Sequence, residues 1–504
     1  MTIKRLILGL LTILAIVQVA LSLQGSWSQP QIQSRLELYQ TNLLLHATEW
    51  QPENSGGSNL TTARNAILGD EPLKAAQKQY QDALSEDKNT LAKLQGQLKK
   101  LQVEADTDPN KLDLQQLLLS IDKLKKVIDE LYLRVGILQV PGETDAAIAT
   151  WKETGERSRS QTANVLIGLW SNPPRLLPNA QEQIEQHLDG WFRYRALSKL
   201  YELQERTEAL SALKAQEQEI AEQAVFKLAM VATVPLFGVI VGIGLLIFLL
   251  AGRLIKGKES LLAHNGDVKW TTPWNGETIW QVFVVGFFFI GQFLLPIFFS
   301  LLPLNRASFD SRTQALFVLA TYLFLAIPCL LVLYFSIKPF FPLPEGWFRF
   351  DWRGNWILWG LGGYLVALPL VIIVSLINQK LWQGQGGSNP ILPIALEGRD
   401  SVALTIFFLT AAVAAPLFEE FLFRGFLLPS LTRYMPVWGA IAVSSLLFAV
   451  VHLHLSEILP LATLGFVLGT VYTRSRNLLA PMLLHSLWNS ATLVSLFILG
   501  SGST

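Results

Sequence analysis

The sequence predicts an all-α polytopic membrane protein of about nine transmembrane helices, with an extracytoplasmic helical hairpin domain inserted after the first span. Three observations predict it. The mean hydropathy is +0.35, with 51% apolar and only 16% charged residues. Long apolar runs dominate from Val225 onward, whereas Gln, Glu, Lys and Leu fill the stretch between residues 24 and 225. The net charge is +1, without a basic patch interleaved with aromatics, so nucleic acid is not a partner. Cys329 is the only cysteine, which excludes a disulfide framework and a cysteine zinc cluster and leaves His and carboxylates as metal ligands.

Residues 1–23 form the first element. Lys4 and Arg5 precede an apolar run from Leu6 to Leu23, nearly a full span, and no small-x-small cleavage site follows, which favours an uncleaved anchor over a signal peptide. Residues 24–225 form the polar domain. Leu91, Leu94, Leu98 and Leu101 recur every three or four residues. After an expected turn at 106–110, Leu117, Ile121, Leu124, Ile128, Leu131, Val135 and Leu138 do the same, predicting two antiparallel coiled-coil arms. Lys123, Lys125, Lys126 and Asp129 fall on the expected solvated face. The arms could also close on a coiled-coil partner. Residues 50–62 read as loop, and 181–223 as one long helix leading into the membrane.

Residues 226–399 hold the spans that precede the core, and 400–504 the core itself. Apolar stretches fall near 226–251, 279–303, 314–336, 356–377, 401–418, 437–453, 457–473 and 478–498. Lys4 and Arg5, then Arg253, Lys256 and Lys258, then Lys338, Arg349 and Arg353, then Arg424 and Arg433, then Arg474 and Arg476 share one side, which the excess of positive charge marks as cytoplasmic. Arg306, Arg312, Lys380 and Arg399 fall on the other side. This places the N-terminus in the cytoplasm, the hairpin domain outside, and Glu419 near the cytoplasmic face of a bacterial plasma membrane.

Three short motifs carry chemistry. In Glu419-Glu420-x-x-x-Arg424, two carboxylates and an arginine interrupt an apolar helix, where each costs about 2.5–3.5 kcal/mol at mid-span without an internal partner. Glu420 and Arg424 are four apart and can pair, while Glu419 points elsewhere. In Phe448-x-x-x-His452 an apolar span ends in an imidazole. His485-x-x-x-Asn489 sets an imidazole and a carboxamide side by side. Taken singly, each has a bland reading: a structural ion pair, an interfacial histidine, an interhelical hydrogen bond. His454 keeps its interfacial reading. Three such sites within about seventy residues point to one water-activating, oxyanion-binding centre.

These three ordered motifs resemble those of the CPBP family, the CAAX proteases and bacteriocin-processing enzymes, over about residues 400–497. The resemblance implies an intramembrane endopeptidase with a catalytic centre drawn from Glu419, Glu420, Arg424, His452, His485 and Asn489, opening to the cytoplasm. Glu419 with His452 would activate water, His485 and Asn489 would hold the oxyanion, and Glu420 and Arg424 would shape the site. Glu419, His452 and His485 could instead ligate zinc, although no His-Glu-x-x-His helix is present. The implied partners are a protein or peptide substrate and the bilayer; prenylation of the substrate is not implied. The alternatives are a non-proteolytic scaffold or immunity-type protein on the same core, and a sensor regulated through the hairpin domain.

Overall fold

A computed structural model of the chain describes residues 2–27, 29, 31–51, 68–104, 111–155, 157–302, 309–398 and 400–500. These residues contain helices and no β-strand. The expected turn at 106–110, most of the loop at 50–62, and Arg306 and Arg399 lie outside them.

Two compact units divide the chain, one of residues 34–231 and one of residues 1–33 and 232–497. The polar unit contains α2 (Gln33–Thr48), α3 (Pro72–Glu104), α4 (Lys111–Gln139), α5 (Thr144–Lys152), α6 (Arg157–Trp170), α7 (Ala180–His187), α8 (Gly190–Leu203) and the first part of α9 (Thr207–Lys256). Helices α3 and α4 pair as the spacing predicts. Leu91, Leu94, Leu98 and Leu101 are half-buried between exposed neighbours, and Ile121, Ile128, Leu131, Val135 and Leu138 are buried. The later half of α4 packs into its own unit, in a core with Trp151, Leu166, Trp191 and Phe192. Asp129 departs from the expected solvated face: it is buried, and its Oδ1 accepts the Gly155 N–H at 2.9 Å.

The single helix expected over 181–223 is three. The chain breaks before Gly190, whose φ of +50° is open to glycine, and again at Glu205, with φ +55°. The first break turns Trp191, Phe192, Ala196 and Leu200 of α8 onto the core, a direction that straight continuation of α7 would not provide.

Among the described residues eight helices are long and apolar enough to cross a bilayer: α1 (Ile3–Ser26), α9, α10 (Gly276–Leu301), α11 (Ser311–Ile337), α12 (Trp356–Trp382), α14 (Ser401–Leu431), α16 (Ile458–Ser475) and α17 (Leu479–Gly500). The short α13 (Ile391–Glu397) precedes α14. The expected ninth span is α15 (Val437–Val450), whose 14 residues reach only about 21 Å against a hydrocarbon core of about 30 Å. That shortfall leaves its last turn, followed by His452, within the depth of its longer neighbours.

The connections of this unit gather at two ends. At one, Lys4 and Arg5 meet Glu277 at 3.0 and 2.8 Å, Arg474 Nε donates to Leu262 O at 2.6 Å, Arg433 to Thr272 O at 3.1 Å, and Arg476 lies 3.4 Å over the Trp270 ring. At the other, Leu455 N donates to Ser26 Oγ at 3.2 Å, Gln31 N to Gly384 O at 2.8 Å, and Arg312 pairs with Asp400 at 2.8 Å. Short-connection basic residues are therefore concentrated at one end, except Arg424, which the sequence reading counted with them and which is buried within α14 against Glu420.

Candidate active site

Helix α14 carries Glu419 and Glu420 on a short α-helical stretch, Ala415–Glu420, between two stretches of wider π geometry, Thr410–Ala414 and Phe421–Leu427. Such widening is common at functional sites because it frees carbonyls for other partners. In the wider register the donor for Ala411 O would be the N–H of residue 416, and Pro416 has none. Asn489 Nδ2 of α17 fills the gap at 2.7 Å. One turn on, Tyr322 of α11 donates to Ala415 O at 3.4 Å and to Glu419 Oε1 at 3.3 Å.

Glu420 and Arg424 form a fully buried pair at 2.8 Å. A second donor reaches the same carboxylate oxygen, His485 Nδ1 at 2.8 Å. Arg424 is satisfied further by Gly465 O at 3.1 Å and lies 4.4 Å over the ring of Phe448. This network offsets the cost of burying the charges. It also fixes His485: with Nδ1–H given to Glu420, Nε2 faces Glu419 Oε2 at 3.9 Å. Glu419 Oε2 is buried and has no hydrogen-bond partner among the described residues.

Phe448 joins the histidines, with its ring 5.0 Å from that of His452 and 5.7 Å from that of His485. His452 Nδ1 bonds to Phe448 O at 2.7 Å, which turns its other nitrogen away from the helix end.

Glu419, His452, His485 and Asn489 line one cavity of about 880 Å³, with Tyr322 and Trp488 and apolar walls from Leu295, Phe299 and Phe317. Glu420 and Arg424 do not line it; they stand behind His485. His454 lies outside the lining, 3.8 Å from Glu457. Sequence reasoning missed Tyr322, one of several aromatics in an apolar run with no spacing to mark it. It also missed Asn389 and Glu457, joined at 2.6 Å at the cavity rim, because they are remote in sequence.

The three residues considered as zinc ligands share the cavity, but no group of three or more His, Cys, Asp or Glu among the described residues is arranged to hold a metal ion. Glu420 holds His485 Nδ1 and leaves Nε2 as the nitrogen that faces the cavity. As they stand, Glu419, His452 and His485 are not clustered to ligate one ion together.

The cavity extends toward one end of the membrane unit. By the 1.5 Å rise per residue, Glu419 lies about 18 Å of helix from the Leu431 end of α14 and about 27 Å from its Ser401 end, well inside the span. The loop residues that reach the cavity, Asn389, Ser456 and Glu457, belong to the end opposite the basic one.

Comparison with known proteins agrees with the motifs. Residues 401–491 match the family described as Type II CAAX prenyl endopeptidase Rce1-like. The chain is 26% identical over 144 residues to YdiL of Bacillus subtilis (strain 168), whose name assigns it provisionally to the membrane peptidases; the match covers 29% of this chain and 58% of YdiL. It is 24% identical over 213 residues to the membrane-embedded CAAX protease MroQ of Staphylococcus aureus (strain USA300), covering 41% of this chain and 85% of MroQ. No solved structure matches the chain. Residues 401–491 of this chain thus match the Type II CAAX prenyl endopeptidase Rce1-like family, and the chain is similar to membrane peptidases of the CAAX type.

Proposed function

We propose that the protein is an intramembrane endopeptidase in which Glu419 is the general base. The observation that carries this reading is the pair Glu419 Oε2 and His485 Nε2, 3.9 Å apart in the cavity. That separation is too long for a direct hydrogen bond. It suits one water bonded to both at about 2.8 Å with an angle of roughly 90° between the bonds.

In the proposed reaction Glu419 takes a proton from this water as its oxygen attacks the carbonyl carbon of a peptide bond. The His452 nitrogen not bonded to Phe448 O helps to orient the water. The carbonyl oxygen becomes an oxyanion, stabilised by the free N–H of Asn489 and by the His485 ring, which Glu420 holds in place through Nδ1. The C–N bond then breaks, and Glu419 returns its proton to the departing amine. Glu420 and Arg424 act through His485 and are positioning residues.

The test is cleavage of a peptide library by the purified full chain in detergent, comparing wild type with Glu419→Gln, with and without a strong chelator. Loss of the general base is expected to cost about 10²- to 10⁴-fold in rate, with no chelator effect. Equal cleavage by both proteins would remove Glu419 as the base and favour the scaffold reading. Inhibition by the chelator would restore the metal.

A further inference from the structure

The cavity reaches only one end of the membrane unit. Outside helices α1–α17 its lining comes from Asn389, His452, Ser456 and Glu457. These loops are tied together, with Ser456 N donating to Gly386 O at 3.2 Å and Asn389 N to Glu457 Oε1 at 2.6 Å. No residue of the connections 257–275, 432–436 or 476–478 lines the cavity among the described residues. Between that basic end and Glu420 stands a packed aromatic layer, with Trp274, Phe423 and Phe426 all at 0% exposure. A peptide has no path to Glu419 through it.

The connections at the closed end hold Lys256, Lys258, Lys269, Arg433 and Arg476, and positive charge in short connections marks the cytoplasmic side. We infer, resting on the peptidase reading, that the cavity is loaded from the extracytoplasmic side. Its substrate is an extended apolar stretch at the outer boundary of the membrane, in an exported or membrane-anchored protein. The walls of Leu295, Phe299, Phe317 and Trp488 suit apolar side chains and would leave a buried charge uncompensated. On this inference a cytoplasmic C-terminal tail is not the substrate.

Sidedness tests this directly, because Cys329 is the only cysteine and is fully buried, so the wild type gives no background. Single cysteines are placed in the full chain at Lys269→Cys, exposed at the basic end, at Ser311→Cys, exposed at the opposite end, and at Asn389→Cys on the cavity rim. Each is exposed to a membrane-impermeant maleimide in spheroplasts and in inverted vesicles. Ser311→Cys and Asn389→Cys are expected to react at least about tenfold faster in spheroplasts, and Lys269→Cys correspondingly faster in inverted vesicles. The reverse pattern would overturn the inference. So would an Asn389→Cys that reacts from neither side, since the open rim is its premise. Failure of the peptidase reading is separate: it shows as absent cleavage whatever the labelling pattern.

Discussion

Glu420 Oε1 accepts from His485 Nδ1 and from Arg424 Nη1, each at 2.8 Å, so a single buried oxygen couples the cavity histidine to the ion pair behind it. Glu420 does not line the cavity, and its effect on the reaction must pass through the tautomer and charge of His485. Glu420→Gln keeps the shape and an acceptor oxygen but removes the negative charge. The expected result is a loss of about tenfold or more in kcat with a smaller change in KM, and an altered pH–rate profile. An unchanged pH profile at reduced kcat would mean that Glu420 only supports the fold.

Arg424 is expected to act on stability first. Arg424→Met leaves a buried carboxylate without its cation, a loss on the order of 3–5 kcal/mol. Thermal unfolding of the purified full chain should show a clear drop in midpoint. In the double variant Glu420→Gln/Arg424→Met both charges are gone, so its loss should be smaller than the sum of the single losses. Additive losses would show that the two do not act as a pair.

Tyr322 offers a cleaner test of the site because its hydroxyl donates to Glu419 and to the Ala415 carbonyl beside it. Tyr322→Phe removes that donor while keeping the edge-on contact with Phe418, whose ring centre lies 5.9 Å away. One hydrogen bond to a carboxylate, worth about 1.5–3 kcal/mol, corresponds to a fall of roughly tenfold or more in kcat/KM with a small change in melting temperature. Wild-type kinetics in this variant would show that Glu419 needs no help from α11.

The motif residues and the hairpin face were legible because each depends on local spacing. Glu420 and Arg424 meet at i, i+4, and the leucines of α3 and α4 keep their period. What the sequence does not display depends on distant partners. Tyr322 reaches Glu419 across 97 positions, and Asn389 meets Glu457 across 68. Asp129 lies on the polar side of its period, yet a backbone N–H from 26 positions away draws it inside. The break before Gly190 is likewise set by what α8 must bury. The direction of the cavity could not be read from charge alone, because charge orients the spans but does not tell which end of the bundle is packed shut.

Close packing of α12 on α17 holds His485 and Asn489 in register. A Cβ at Gly360 would meet Ala480 O at 3.0 Å and the Leu483 side chain at 2.8 Å, so α17 must shift to accept it. Gly360→Ala is expected to cost about 1–3 kcal/mol in stability and to lower cleavage. Reduced stability with full activity per folded molecule would show that the site tolerates movement of α17.

The polar unit should carry its own pH dependence. Burial raises Asp87 from 3.8 to about 6, with repulsion from Glu86 adding and Arg35 opposing. The folded unit therefore binds this proton more tightly than the unfolded chain does. Between pH 3.8 and about 6 the folded state holds more protons, so stability falls as pH rises through that window and levels off above it. Hydrogen exchange within 72–104 of the full chain, corrected for intrinsic rates, is expected to show stronger protection at pH 5 than at pH 7. The difference should be severalfold, up to about tenfold, because Asp87 is only partly enclosed. Asp87→Asn removes the titration and should give equal corrected protection at both pH values. If the variant keeps the wild-type difference, another group is responsible and the burial of Asp87 has no part in the unit's stability profile.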